Sequence, residues 1–284
     1  MMDRPTRRLA AAAVAAGVGM PALAAVRPAR IVSLNPCLDV ILVNVADHGQ
    51  IAALSHYSRD PLSSSIAPIA RRLPITYGSA EEVVALRPDL VLMPSLSAAA
   101  TRSALRRLGI RTELFDVPET VEASLTQVAE IARVVGQAQR GAALVARIRA
   151  AIAAGAPQPG ERPLSALVYQ SNGFASAKGT LMDEMMARAG LQNAATRYGL
   201  RRTGNVPLEL LLADPPDLLL AGQPKPGAPN WADRVLSHPA LHAVAGRMHR
   251  AVFPQRLMYC GGPVLIETAA ALAQARRETL AARA

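Results

Sequence analysis

Two glutamates occupy matching positions in two similar stretches of the chain. Glu81 and Glu209 each lie seven residues before a Pro-Asp pair, at 88–89 and at 216–217. An apolar helical turn follows each glutamate, and a short apolar run follows each Pro-Asp pair. Two like charges repeated in this way can address a two-fold symmetric partner through charge complementarity. A single glutamate would be explained by the helix dipole alone, but a matched pair favours one shared role for both residues.

The repeated stretch also predicts local structure. Each copy is typical of a short helix that its proline ends and that a buried parallel strand follows. The two strands would be Leu90–Met93 and Leu218–Ala221. Because the helix–Pro-Asp–strand unit occurs once in each half, the sequence predicts two α/β lobes built on one plan.

Tyrosines and arginines near predicted strand ends are candidates for binding a ligand, because open α/β sheets bind ligands beyond the carboxyl ends of their strands. A tyrosine offers an apolar face and a hydroxyl that can donate a hydrogen bond or ligate a metal, and an arginine can pair with a ligand carboxylate. For each residue alone, a packing tyrosine or a surface charge is the alternative. The candidates are Tyr57, Tyr77, Tyr169, Tyr259, Arg59, Arg202 and Arg256.

The first 24 residues are typical of a secretory signal peptide. Arginines at positions 4, 7 and 8 precede an apolar, alanine-rich run from Leu9 to about Met20, and Ala22-Leu23-Ala24 fits a cleavage site. The apolar run is shorter than the roughly 20 residues that a transmembrane helix needs. We therefore expect cleavage after about Ala24 and a mature protein in the periplasm.

The two cysteines admit three interpretations. Cys37 follows the first predicted strand and Cys260 follows the last, so in a two-lobed protein both loops border the cleft and the cysteines should face each other. An exported protein with two cysteines usually forms a disulfide, but that bond would clamp a cleft that must admit ligand. Reduced thiols could instead contact the ligand or bind a soft metal, as a cleft tyrosine also could. Two inert buried thiols are the third alternative.

An exported hydrolase is the enzyme alternative, with Cys260 or Ser171 as nucleophile beside a histidine. No Gly-x-Ser-x-Gly motif is present, and the histidines show no metal-binding spacing backed by an acidic partner. Those histidines are His48, His56, His238, His242 and His249. We therefore predict no catalytic residues and no enzymatic activity.

The net charge is positive and comes almost wholly from arginine. Removing residues 1–24 removes three arginines and one aspartate, which lowers the formal net charge from +10 to +8. The basic residues are scattered and no helix-turn-helix or zinc motif is present, so binding to nucleic acid is not expected. A basic surface can favour an anionic ligand.

The order of predicted elements divides the mature chain into three parts. Strands alternate with helices, which predicts α/β structure with mainly parallel sheets. A helix at about Ala138–Ala154 is long enough to connect two lobes, and the Gly- and Pro-rich segment 155–163 follows it as a linker. We predict an N-terminal lobe at 25–135, a connecting helix at 136–156 and a C-terminal lobe at 157–284. Residues 170–179 are predicted to form a loop.

Several short motifs occur in an order that resembles a known family. They are Ile51-Ala-Ala-Leu-Ser, Gly78…Glu81…Leu86-Arg-Pro-Asp-Leu-Val-Leu, Leu108-Gly-Ile, Gly179-Thr-Leu-Met-Asp-Glu, Ala189-Gly-Leu-Gln-Asn and Pro207-Leu-Glu…Pro216-Asp. In this order the chain resembles the substrate-binding proteins of bacterial ABC importers of the helical-backbone type, which serve cobalamin, haem and ferric siderophores. The resemblance extends from residue 30 to the last helix.

The resemblance implies a fold, a partner and a cargo. It implies two Rossmann-like lobes joined by a single long helix, with the ligand in a cleft between them, in a monomer that carries no cofactor of its own. It implies that Glu81 and Glu209 dock into arginine-lined pockets on the two permease subunits, whereas Glu82 is only solvated. The cargo would be a metal chelate. A periplasmic metallochaperone, metal-binding protein or sensor on the same fold is the alternative.

Overall fold

The computed structural model describes residues 27–170, 173–222, 238–244 and 246–283 of the chain. The predicted signal peptide, Ser171 and the single tryptophan, Trp231, lie outside these ranges. The described residues form two α/β lobes with parallel sheets, which confirms the predicted fold class.

The N-terminal lobe is a five-stranded parallel sheet with the order β3-β2-β1-β4-β5. Its strands are β1 (Ile31–Ser33), β2 (Ile51–Ser55), β3 (Ile75–Thr76), β4 (Leu90–Pro94) and β5 (Thr112–Phe115), and its helices are α1 (Pro36–Val45), α2 (Ala67–Ala70), α3 (Ala80–Ala85), α4 (Ala99–Arg107) and α5 (Val121–Val134). The chain builds outward from β1 in one direction and then in the other. The strand order therefore reverses between β1 and β4, and a crevice forms at the carboxyl ends of these strands.

The C-terminal lobe repeats this arrangement with four parallel strands in the order β11-β10-β6-β8. Its elements are β6 (Leu164–Tyr169), β7 (Phe174–Ser176), α7 (Leu181–Arg188), β8 (Leu191–Asn193), β9 (Thr203–Asn205), α8 (Leu208–Ala213), β10 (Leu218–Ala221), α9 (Ala240–Ala243), β11 (His249–Val252) and α10 (Val264–Ala281). Strands β7 and β9 form a separate antiparallel pair. The prediction of a loop at 170–179 is therefore wrong for residues 174–176. Strands β8 and β9 were not predicted either.

A single long helix, α6 (Ala138–Ala154), connects the lobes, as predicted. Its 17 residues span about 25 Å, and it contacts α1 and α5 on one side and α7 and α10 on the other. Leu144, Ile148 and Ile152, four residues apart, form its buried stripe. At Gly141 an added Cβ would lie only 2.3 Å from the Cβ of Ala132, so glycine is what allows α5 and α6 to pack this closely.

The repeated Pro-Asp pairs hold the central strand of each sheet. Asp89 accepts hydrogen bonds from the backbone N–H groups of Ala29 and Arg30, where the chain leads into β1. Asp217 accepts from the backbone N–H and the hydroxyl of Ser165 at the start of β6. Each aspartate thus satisfies backbone donors that the sheet leaves unpaired.

A disulfide between Cys37 and Cys260 also joins the lobes, with their Cα atoms 5.0 Å apart. Cys37 lies at the start of α1, where Asn35 accepts hydrogen bonds from the N–H groups of Cys37 and Leu38. Cys260 lies in the loop between β11 and α10. The next residue in that loop, Gly261, passes so close to Ser124 of α5 that an added Cβ would lie 2.4 Å from its hydroxyl oxygen.

Asp39 is a fully buried carboxyl group in α1. Its Oδ2 accepts hydrogen bonds from the backbone N–H of Ser55, at 2.9 Å, and from the hydroxyl of Ser58, at 2.6 Å. Its Oδ1 and the hydroxyl of Ser33 are buried without a partner among the described residues. Burial raises the pKa of Asp39 to about 8, because the charged form loses its hydration and the nearby hydroxyls of Ser33 and Ser58 and the N–H of Ser55 offset only part of that loss.

We expect Asp39 to make the protein less stable as the pH rises from about 4 to about 8. Over this range the carboxyl ionises in the unfolded chain but stays protonated in the folded one, so each pH unit lowers the free energy of unfolding by up to about 1.4 kcal/mol. Urea unfolding across this range should show a clearly weaker pH dependence for Asp39→Asn than for the unmodified protein. Glu130→Gln, an exposed site, is the control. Equal slopes for Asp39→Asn and the unmodified protein would contradict the assignment.

Removing the disulfide should destabilise the fold because the bond closes a loop of 223 residues. Loop-closure entropy predicts a loss of about 5 kcal/mol, and measured losses for native disulfides are about 2–5 kcal/mol. We expect the free energy of unfolding of the Cys37→Ser/Cys260→Ser double variant to be lower by about 2–5 kcal/mol, so that it unfolds at a lower urea concentration. Adding reductant should shift the unmodified protein to the same midpoint and leave the double variant unchanged. A double variant as stable as the oxidised protein would refute the prediction.

Candidate functional site

A cavity of about 350 Å³ lies between the two lobes. From the N-terminal lobe, Asn35, Pro94 and Phe115 line it, at the carboxyl ends of β1, β4 and β5. From the C-terminal lobe come residues of β7, α7, β9 and the loop after β11. The cavity thus lies at the switch point of the first sheet, where a ligand site is expected, and its volume is within the range of small-molecule sites.

The disulfide forms part of the cavity wall, because both cysteines line it. The interpretations that left Cys37 and Cys260 as thiols are therefore wrong. Neither sulfur can bind a metal as a thiolate, and Cys260 cannot act as a nucleophile. The predicted proximity of the two cysteines is confirmed. The objection that a disulfide would clamp the cleft does not hold, because the cavity lies beside the bond.

Sulfur and apolar groups make up much of the remaining wall. Met182 and Met185, three residues apart on one face of α7, and Met258 from the loop after β11 contribute thioethers. Thioethers are polarizable and pack well against aromatic rings. These methionines were not among the predicted ligand residues, because only polar and aromatic side chains were taken as candidates. The spacing of Met182 and Met185 alone does not distinguish a cavity wall from an ordinary core.

An ion pair between Arg202 and Glu119 crosses from one lobe to the other beside the cavity. Arg202 immediately precedes β9, and Glu119 lies in the loop between β5 and α5. Both side chains are 55% exposed. Of the three arginine candidates, Arg202 is the one that lines the cavity.

The other two arginine candidates are engaged elsewhere. Arg59 donates hydrogen bonds to the backbone carbonyls of Ala70 and Leu73, at 3.2 and 2.7 Å, so it closes the end of α2 rather than facing a ligand. Arg256 pairs with Glu267 at 2.8 Å on the first turn of α10. These contacts correct the expectation that both guanidinium groups are available to ligand carboxylates.

The four tyrosine candidates separate into three groups. Tyr259 lines the cavity and accepts a hydrogen bond at its hydroxyl from the Gln255 amide. Tyr169 is 1% exposed, and its hydroxyl donates to the carbonyl of Val206 at 3.0 Å, so it is a packing tyrosine and its assignment to ligand binding is corrected. Burial, with a smaller contribution from the charge of Glu209, raises the pKa of Tyr169 to about 12.

Tyr57 and Tyr77 form an exposed aromatic group with His56. The His56 ring stacks on Tyr77 with the centroids 4.6 Å apart and lies 3.9 Å from Tyr57, and the two tyrosines are 57% and 71% exposed. The three residues follow β2, which pairs with β1, and β3, which pairs with β2, so they lie along the carboxyl edge of the sheet, where the cavity also lies. His56 was not among the predicted ligand residues, although its position directly before Tyr57 could have indicated it.

Glu81 and Glu209 are both exposed, in the first turns of α3 and α8. Helix α3 begins just after β3, and Glu209 is near enough to the last residue of β6 to influence its pKa. Both carboxylates therefore lie towards the carboxyl ends of their sheets. Glu82 is not merely solvated, because it accepts hydrogen bonds of 2.7 Å from the Thr76 hydroxyl and the Tyr77 N–H. These bonds lower its pKa.

Two kinds of feature are absent from the described ranges. No helix there combines the length and apolar composition that crossing a bilayer requires. No group of three or more His, Cys, Asp and Glu side chains is arranged there to hold a metal ion.

Known proteins resemble this chain in sequence and in fold. A cobalamin-binding protein of Halobacterium salinarum is 26% identical over 202 residues, which are 69% of this chain and 54% of that protein. The chain thus spans about half the length of the curated relatives that it matches.

Solved structures of periplasmic binding proteins share the fold over most of the chain. A periplasmic heme-binding protein from Roseiflexus sp. RS-1 is 24% identical with a TM-score of 0.67, covering 87% of this chain and 98% of its own. A periplasmic heme-binding protein of Vibrio cholerae is 20% identical with a TM-score of 0.71, covering 86% and 97%. A periplasmic vitamin B12-binding protein of the same species is 15% identical with a TM-score of 0.66, covering 89% and 98%.

A family model described as periplasmic binding protein matches residues 31–252, well over half of the sequence. The match extends from β1 of the N-terminal lobe to the end of β11, so it includes the parallel sheets of both lobes. This chain belongs to the periplasmic binding protein family.

Proposed function

We propose that this protein is the periplasmic substrate-binding component of an ABC importer. It captures a metal chelate (a ferric siderophore, haem or cobalamin) and delivers it to a permease dimer in the inner membrane. The observation that carries the proposal is the cavity between the lobes, which is lined by the carboxyl ends of β4 and β5 from one lobe and by β7, α7, β9 and the loop after β11 from the other. The relatives that bind cobalamin, heme and vitamin B12 support a chelate as the ligand class.

The chemistry of the cavity suits an organic chelate. A large, mostly apolar ligand gains free energy from burial against Phe115, Leu181 and the three methionines, while a few polar groups fix its orientation. The exposed group of His56, Tyr57 and Tyr77 supplies aromatic surface and potential metal ligands on the same edge of the sheet. Tyr259 supplies a further hydroxyl inside the cavity.

Delivery would use the two exposed glutamates. A permease with two-fold symmetry presents two equivalent surfaces, and a protein with two similar lobes can place one carboxylate on each. Glu81 and Glu209 meet this requirement because they are exposed at corresponding positions of α3 and α8. Charges at such a rim affect the rate and specificity of docking more than the fold.

Filling the cavity should abolish ligand binding. Thr203 is exposed and lines the cavity, so Thr203→Trp should block the site without disturbing the core. We expect the unmodified protein to bind one of haemin, cobalamin or a ferric siderophore at a 1:1 ratio in native mass spectrometry and titration. Thr203→Trp should weaken that binding at least tenfold, and Thr196→Trp, an exposed site away from the cavity, should not. If none of the three chelates binds, the proposed function fails.

Removing both docking carboxylates should stop import but not capture. We expect Glu81→Ala/Glu209→Ala to abolish ligand-dependent uptake in cells while the affinity of the purified protein stays within about twofold, because neither residue lines the cavity. Glu130→Ala, which removes an exposed glutamate from α5, is the matched control. Normal uptake by the double variant would exclude the docking role.

A further inference from the structure

The Arg202–Glu119 ion pair differs from two other contacts that join the lobes near the cavity. The Cys37–Cys260 bond is covalent. The N–H of Gly262 donates to the Ser124 hydroxyl at 2.6 Å in a buried contact. By contrast, both partners of the ion pair are 55% exposed, so water solvates them and salt screens their attraction. Of these contacts, the ion pair is the one that can separate at little cost in free energy.

Charge at the cavity is distributed unequally between the two lobes. The lining residues include two carboxylates, Asp116 and Glu119, from the N-terminal lobe and a single guanidinium, Arg202, from the C-terminal lobe. An anionic group on a ligand is repelled by the first two and attracted by the third. Because a guanidinium can hold a carboxylate through two parallel hydrogen bonds, Arg202 is the residue that can fix such a group in one orientation.

We propose that Arg202 determines specificity by binding a carboxylate of the ligand, and that Glu119 competes with this carboxylate for the same guanidinium. The inference rests on the proposed function and narrows the ligand to a chelate with a free carboxylate at one edge and an apolar remainder. Only a ligand that supplies its own carboxylate keeps Arg202 paired once Glu119 is displaced. A neutral chelate of the same shape would have to leave the ion pair in place.

The competition predicts effects of opposite sign at the two residues. Arg202→Ala removes the partner of the ligand carboxylate and should weaken binding about tenfold or more, since charge-assisted hydrogen bonds are among the strong ones. Glu119→Gln removes the internal competitor and should strengthen binding a few-fold, because an exposed ion pair costs little to separate. A merely structural clamp between the lobes predicts instead that both variants weaken binding alike.

The test uses the full mature chain and paired probes. Haemin carries two propionates and its dimethyl ester carries none; ferric citrate supplies a carboxylate-bearing chelate of another shape, and cobalamin lacks free carboxylates. Affinities are measured for the unmodified protein, Arg202→Ala, Glu119→Gln and Arg202→Lys. Arg202→Lys keeps the positive charge but loses the planar guanidinium that donates two parallel hydrogen bonds. Its affinity for a carboxylate-bearing probe should therefore lie between those of the unmodified protein and Arg202→Ala. Arg201→Ala, an exposed neighbour that does not line the cavity, is the control, and thermal unfolding verifies that every variant is folded.

Each possible result either supports or overturns the inference. Preference for the carboxylate-bearing probes, lost in Arg202→Ala and increased in Glu119→Gln, supports the inference. The Glu119→Arg/Arg202→Glu double variant restores the ion pair with reversed polarity, so wild-type affinity in that variant would show a clamp and overturn it. Tight binding of cobalamin or the dimethyl ester that Arg202→Ala leaves unchanged would overturn it while the proposed function stands. If no chelate binds the unmodified protein, the proposed function fails and the inference with it.

Discussion

The covalent link between Cys37 and Cys260 is the constraint on which the arrangement of the two lobes depends. Together with the 17-residue helix α6, it joins the lobes covalently at two separate places, so the cavity walls that the two lobes contribute are tied to each other. A single helix would leave rotation about its own axis free, and a single disulfide would act as a pivot. We expect the pair of connections to restrict both motions, so that the cavity is largely formed before a ligand arrives. Preorganisation of this kind lowers the entropic cost of binding.

The two lobes share one plan because the same local requirement recurs in each. A strand at the centre of a parallel sheet begins with backbone N–H groups that the neighbouring strands do not pair. In both lobes an aspartate directly before a neighbouring strand accepts hydrogen bonds from these groups, Asp89 before β4 and Asp217 before β10. The preceding proline ends the helix that carries the exposed glutamate, Glu81 in one lobe and Glu209 in the other. One short sequence thus fixes the helix end, the strand start and the position of an exposed carboxylate.

The sequence predicted those features that local patterns specify. Alternating strands and helices, the Pro-Asp repeat and the length of α6 depend on periodicity and helix-ending residues, and the structure agrees with them. It did not predict the β7–β9 pair, because two three-residue strands separated by 26 residues carry no periodic signal. Tyr169 and Arg59 were misjudged for a related reason, since a position at a strand end does not show whether a side chain turns inward to a carbonyl or outward to a ligand. Whether the two cysteines form a disulfide could not be predicted, because their pairing depends on how the lobes face each other.

A rigid pair of lobes changes how a permease would recognise the loaded protein. Under the proposed function, a ligand can favour docking only through differences that it makes near its own site. The loop that holds Glu119 and the strand that follows Arg202 line the cavity from opposite lobes, and their ion pair is exposed. A ligand that takes Arg202 from Glu119 changes the charge and the position of both segments while the disulfide and α6 keep the lobes in place. In such a protein, a permease would distinguish the loaded from the empty state by the changed rim of the cavity and not by closure of a hinge. Glu81 and Glu209 would keep one spacing whether or not a ligand is bound.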